Sequence, residues 1–444
     1  MKSREHQSES PLHGARKHSS SFVATLTAIF VSSGALAACT SETAGHSVSS
    51  PTASSAPIPG PKPLPTPTRL PSSSTSPRTT ETSLPPSSTS STKSASRQTP
   101  SSPRPSKSTT APAPGKITLP LGASESYKVA QTFIVGFDAN TPLATILQVA
   151  KDTHIGGIFL TDTQDAVSKG FTKSYYAELG KAAGVSMLIA SDEEGGEVHR
   201  LNYGSMYFPS AKAMGGMSTS QVEAIGEQAG ARMRADGVTV NLAPVLDIDN
   251  HQNNGAISGL DRSFGSDPAT IAAKASAFAQ GLEASGIIPV LKHFPGIGLA
   301  TPDSDTDAHR AFSPPLAELQ NNDLRPYQTI LSSRFAGAVM LSNEYVTGLD
   351  TANPASTSPK VVNYLRSMGF SGLITTDALS AIGYDGRTLS NNVLAAEEAG
   401  VNAPLFSFTT ESELESTIHL VAATIPESQI NNSLAKVLDL KNQS

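Results

Sequence analysis

From residue 117 onward the chain alternates short, continuously apolar runs with stretches whose apolar residues recur at helical spacing. The runs are AQTFIVGFD (130–138), GGIFLTD (156–162), VSMLIASD (185–192), VTVNLAPVLDI (238–248), IIPVLKHF (287–294), GAVMLSNEY (337–345), SGLITTDAL (371–379) and VNAPLFSF (401–408). Between them lie segments such as SQVEAIGEQAGARMRAD and PATIAAKASAFAQGLEASG, apolar at every third or fourth position. A strand apolar on both faces has to be covered on both faces, so the pattern calls for a parallel sheet wrapped by helices. Eight such units in 117–444 fit an α/β fold, a single (β/α)8 TIM-type barrel. A doubly wound open sheet is the alternative that the pattern leaves.

Polar residues break these runs in a consistent place. Asp192, Asp247, Lys292-His293, Asn343-Glu344 and Asp377 all stand at or just beyond the C-terminal end of an expected strand. In a barrel those ends converge on one mouth, where the chemistry of the fold is sited. Any one of them would pass as a turn former or a satisfied structural polar group. Five coincidences point to a site.

The first 116 residues read differently. Lys2, Arg4, Arg16 and Lys17 precede the apolar run FVATLTAIFVSSGALAA, which ends at Leu36-Ala37-Ala38-Cys39. A basic start, a short apolar core and small residues before a cleavage point make an export signal over 1–38. The run is at the short end for a spanning helix. Leu-Ala-Ala-Cys resembles the bacterial lipobox, in which the cysteine is lipidated; a plain secretory signal is the other reading. Cys39 is the single cysteine, so neither an intramolecular disulfide nor a cysteine metal cluster can form. Residues 39–116 are dominated by Ser, Thr, Pro and Ala, a composition too poor in apolar surface to offset conformational entropy. They are expected to form a disordered linker, its ends roughly 50 Å apart on average, tethering a domain at 117–444 to a membrane. That domain carries 20 Lys/Arg against 34 Asp/Glu, which argues against nucleic acid as a partner.

Five segments, SDEEGGEVHRL (191–201), APVLDI (243–248), LDRSFGSDP (260–268), KHFPGIG (292–298) and TTDALS (375–380), together resemble the bacterial β-N-acetylhexosaminidases of glycoside hydrolase family 3. They follow the family's order and spacing through essentially all of 117–444. The resemblance implies a retaining glycosidase that releases terminal β-linked N-acetylglucosamine, with no metal and no cofactor. Retention needs a nucleophile and a proton donor on either side of the scissile bond. By the resemblance the nucleophile is Asp377, which read by itself would also suit a helix N-cap. Asp192 matches a ligand of sugar hydroxyls, and Arg200, Arg262, Lys292 and His293 match donors to substrate. An exported location makes peptidoglycan fragments the natural substrate. The sequence says nothing of oligomeric state.

The loop KHFPGIGLATPDSDTDAH departs from the family. Its acid/base is a His within Asp-Ser-His, and counting without gaps from Lys292 that motif falls on Asp303-Ser304-Asp305. Three assignments stand. Asp305 is itself the acid, its pKa raised by neighbouring carboxylates such as Asp303; the register shifts so that Asp307-Ala308-His309 supplies the histidine; or the loop is inert and the protein a non-catalytic binder of wall carbohydrate. Ile297 replaces the histidine of the usual HFPGHG, Glu197 stands where Arg is typical, and Asn343 where His is common. About 36 residues follow the eighth run, room for a closing helix and no more. Many β-glucosidase relatives carry a second α/β domain there, so the hexosaminidase branch is favoured over a β-glucosidase.

Overall fold

The computed structural model describes residues 116–138, 140–161, 165–201, 208–249, 256–298, 314–333, 335–382 and 386–443. The expected signal segment, Cys39, nearly all of the linker, and Asp303, Asp305 and His309 lie outside the described residues.

All eight expected strands form: β1 (Ile134–Asp138), β2 (Gly157–Thr161), β3 (Leu188–Ser191), β4 (Val240–Asn241), β5 (Ile288–Phe294), β6 (Ala338–Leu341), β7 (Ile374–Thr376) and β8 (Leu405–Ser407). They lie in the order β7-β6-β5-β4-β3-β2-β1-β8. Each pairs in parallel with its neighbour in sequence, and β1 also pairs with β8 through Ile134↔Leu405. The last seam, β7 to β8, holds one parallel bridge, Thr375↔Ala403. Threonine hydroxyls supplement it: Thr375 Oγ1 donates to Ala403 O at 2.6 Å, and Leu405 N donates to Thr376 Oγ1 at 3.0 Å. The circuit is thus nearly closed, which excludes the open-sheet alternative.

Alternation along each strand explains the apolar runs. Ile134, Leu188, Val240, Val290, Met340 and Leu405 pack inside the barrel, whereas Val135, Ile189, Leu291, Val339 and Phe406 pack against the helices. The helix Thr219–Asp236 opens on a capping box between Ser218 and Gln221; Pro268–Ala284 opens on Asp267, whose side chain accepts from Thr270 N, with proline in its first turn. These two helices touch at Gly226, where an added Cβ would stand 2.4 Å from Phe278 O.

One expectation is corrected. Two helices follow β8, not one: Glu411–Thr424 and Glu427–Lys441. Pro426 separates them. Ile425 before it is extended, at φ −79° and ψ 133°, because proline disfavours the helical region for the residue it follows.

Candidate active site

The expected mouth residues converge. Lys292 and His293 lie within β5, the longest strand, while Asp192, Asp247, Asn343 and Asp377 stand at or past the ends of β3, β4, β6 and β7. A cavity of about 260 Å³ opens there, lined by Asp192, Arg262, Lys292, His293, Asn343 and Asp377 among others, with Phe159, Leu242, Met340 and Leu405 as apolar surface.

Its electrostatics centre on Lys292. The buried Nζ lies 2.6 Å from Asp192 Oδ1 and 2.6 Å from Glu194 Oε1. Arg262 forks onto Glu194 through Nε at 2.7 Å and Nη2 at 2.9 Å, and its Nη1 donates to Ala256 O. Burial by itself would push the Glu194 carboxyl up, but Arg262 and Lys292 outweigh it and hold it well below the usual carboxylate range. Burial likewise opposes the charge on Lys292, yet Asp192 and Glu194 raise its pKa. Glu194 and Lys292 therefore stay ionised at neutral pH, a buried ion pair at the edge of the cavity. Next to it, His293 Nδ1 sits 2.6 Å from Asp247 Oδ2, and Ile297 N donates to Asp247 Oδ1 at 2.8 Å. Asp247 thus fixes both the imidazole and the turn after β5. Arg262 Nη2 approaches His293 Nε2 at 3.4 Å.

The segment after β3 is built on a buried acid. Glu193 Oε1 accepts from Ser191 Oγ at 2.8 Å and from the backbone N–H groups of Arg200 and Leu201 at 2.9 Å each. Asn241 on β4 clasps the Glu193 backbone, accepting from its N–H at 3.0 Å and donating to its carbonyl at 2.9 Å. Burial pushes the Glu193 carboxyl up to about 8, against the lowering effect of these hydrogen bonds. Gly195 and Gly196 turn the chain at φ 88° and 62°, a region open to glycine at little cost. A Cβ on Gly195 would also stand 2.2 Å from Pro209 O. The turn delivers Arg200, whose Nη2 lies 3.6 Å from Asp192 Oδ2.

Asp377 is partly exposed on the cavity wall. Its Oδ1 accepts from the next backbone N–H, Ala378 N, at 2.7 Å, just before the 3-10 turn Leu379–Ile382. Asn343 Nδ2 donates to Ala378 O at 2.9 Å, tying the ends of β6 and β7 together.

Asp192, Arg262, Lys292, His293 and Asp377 therefore share one cavity, and Arg200 joins them through Asp192. Glu193, Glu194 and Asn241 were not singled out in the sequence, though two of them stand in SDEEGG. Their signal was three successive acids at a strand end, an expensive run to bury unless each has its own donor. Among the described residues, no group of three or more His, Cys, Asp or Glu side chains is arranged to hold a metal ion, and no helix is long and apolar enough to cross a membrane.

The family model described as the glycosyl hydrolase family 3 N terminal domain matches residues 126–440. The beta-hexosaminidase LpqI of Mycobacterium tuberculosis is 35% identical over 341 residues, covering 73% of this chain and 84% of that protein. An uncharacterized secreted glycosyl hydrolase of Arthroderma benhamiae is 30% identical over 315 residues, covering 68% of this chain and 87% of that protein. The crystal structure of a beta-N-acetylhexosaminidase from Beutenbergia cavernae superposes with a TM-score of 0.64 at 28% identity, covering 71% of this chain and 98% of that one.

Proposed function

We propose, from the premise that this chain belongs to glycosyl hydrolase family 3 and is a glycosidase, that it releases terminal β-linked N-acetylglucosamine with retention, through Asp377. The observation that carries the reading is the shared cavity: the Asp377 carboxylate lines the same hollow as the Asp192–Lys292 pair and His293. One wall offers a carboxylate to an anomeric carbon. The other offers charged donors and acceptors to ring hydroxyls, and such hydrogen bonds strengthen as the oxocarbenium-like transition state develops. The relatives' names, a beta-hexosaminidase and a beta-N-acetylhexosaminidase, support the amino sugar.

In this reading Asp192 accepts from sugar hydroxyls while Lys292 donates, with Arg262 and Arg200 holding the acidic groups in place. Asp247 keeps the His293 ring oriented through Nδ1, with Nε2 beside Arg262 Nη2. The proton donor belongs to the segment after Ile297: Asp305 with Asp303 stands at the family's spacing from Lys292, and His309 with Asp307, four residues on, takes the role if the register shifts.

The extracytoplasmic location draws support from the secreted relative. The lipid anchor at Cys39, the linker over 39–116 and peptidoglycan fragments as substrate belong to the proposal. The test is hydrolysis of an aryl β-N-acetylglucosaminide by the full chain, set beside the matching glucoside. Release of phenol from the first and far less from the second is expected. A preference for the glucoside, or no turnover of either, contradicts the reading.

A further inference from the structure

A second hollow, of about 670 Å³, lies at the opposite end of the barrel. Its wall includes residues 185–187 and 237–239, which lead into β3 and β4, so it occupies the N-terminal face while the catalytic cavity occupies the C-terminal one. The domain it belongs to is acidic overall, yet this hollow is lined by Lys173, Lys181, Arg234 and Lys441 and by no Asp or Glu.

The four basic side chains come from three helices. Lys173, Lys181 and Arg234 are exposed, and among the described residues none of them lies in ion-pair contact with a carboxylate, although Arg234 Nη1 donates to Gly286 O at 3.1 Å. Lys441 is 2% exposed, its Nζ donates to Gln131 Oε1 at 2.9 Å, and burial lowers its pKa to about 7, so that an anion in the hollow would favour its charged form. Tyr176 also lines the hollow; it is 5% exposed, and its hydroxyl is buried without a hydrogen-bond partner among the described residues. A buried hydroxyl lacking a partner is short of one hydrogen bond, so an acceptor that reaches it from the hollow is rewarded.

We propose that this hollow binds a phosphate group of an anionic phosphodiester polymer, separately from the catalytic cavity. The donors approach from the helix Lys173–Ala183, from the end of Thr219–Asp236 and from the end of Glu427–Lys441. Several separate basic groups around one hollow suit the charge of a phosphate, which they can share. The volume exceeds that of a lone phosphate and admits the backbone units on either side of it. A flat bilayer is a poorer occupant, since its headgroups cannot reach buried Lys441 and Tyr176 within a concavity. Bound this way, the polymer would hold the barrel by its base and leave the mouth free for substrate.

The test is binding of inorganic polyphosphate to the full chain at physiological salt, compared among wild type, a Lys181→Gln/Arg234→Gln double variant and Tyr176→Phe. The segment 40–116 carries eight Lys/Arg against two Glu and could hold polyanion by itself, so it stays intact in every protein. Losing two cations from the site should weaken binding about tenfold and flatten its salt dependence, and Tyr176→Phe should weaken it to a smaller extent. Hydrolysis of the aryl glycoside should be unchanged in all three. Affinity unaltered by the double variant would overturn the proposal, because the linker would then be the binder. So would equal affinity for polyglutamate of matched charge, or binding to anionic phospholipid vesicles that depends on the same residues.

Discussion

Replacing Glu193 by Gln tests whether the Arg200 segment rests on a neutral acid. Glu193 Oε1 takes three donors, whereas Oε2 is buried with no partner among the described residues. Burial raises this carboxyl from 4.5 to about 8. A group whose folded pKa is raised contributes stability that is fully present below its unfolded value and is lost as pH rises through its folded value. For Glu193 the loss begins near pH 4.5 and is complete above about 8. At about 1.36 kcal/mol per pH unit it amounts to at most about 5 kcal/mol. Glutamine keeps the Oε1 acceptor and cannot ionise. Glu193→Gln should therefore match wild type near pH 4.5 and grow more stable relative to it towards pH 8. At about 2 °C per kcal/mol for a domain of this size, the gap should reach several degrees. Thermal denaturation of both proteins across pH 5 to 9 measures it. A gap independent of pH, or a variant that falls further behind as pH rises, would show that Glu193 is not a neutral support in the folded protein.

Further outcomes follow from the same structure. Lys292→Met leaves buried Asp192 and Glu194 without the cation between them and should cost about 3–5 kcal/mol of stability, visible as a lowered urea midpoint together with a large loss of kcat/KM. Glu194 should suffer less than Asp192, because Arg262 still forks onto it. Cys39→Ser should move the protein from the detergent phase to the soluble fraction; a wild-type protein already wholly soluble speaks against the anchor. If Asp305 is the proton donor, Asp305→Ala should fall steeply on poor leaving groups and little on activated aryl ones, with His309→Ala nearly silent. Exchange of those behaviours assigns the role to His309, and two silent variants place the donor elsewhere.

How far the residues alone could be read is a matter of what each signal depends on. The strands were legible because both faces of a barrel strand are buried, which writes continuous apolar runs such as IIPVLKHF. Asp192, Lys292, His293 and Asp377 were legible because they interrupt those runs at one end. Glu194 and Asn241 were not. Their roles depend on Arg262, 68 residues from Glu194, and on the alignment of β3 with β4, which places Asn241 48 residues away beside Glu193. The seam closed by Thr375 and Thr376 was hidden for a related reason, since a threonine in a strand reads as ordinary β preference. The second closing helix is marked in the sequence by a single residue, Pro426, which ends one helical run and opens the next.

Attack by Asp377 on the sugar leaves a covalent intermediate that can be trapped. A 5-fluoro amino-sugar glycoside with a good leaving group slows the second step of a retaining glycosidase more than the first, so the glycosyl-enzyme accumulates. Mass spectrometry of the digested protein should find one sugar, attached to the peptide containing TTDALS and to Asp377 within it. Asp377→Ala should remain unlabelled and inactive while keeping the thermal transition of the wild type. A sugar carried on any other carboxylate, or substantial turnover by Asp377→Ala, would contradict the account.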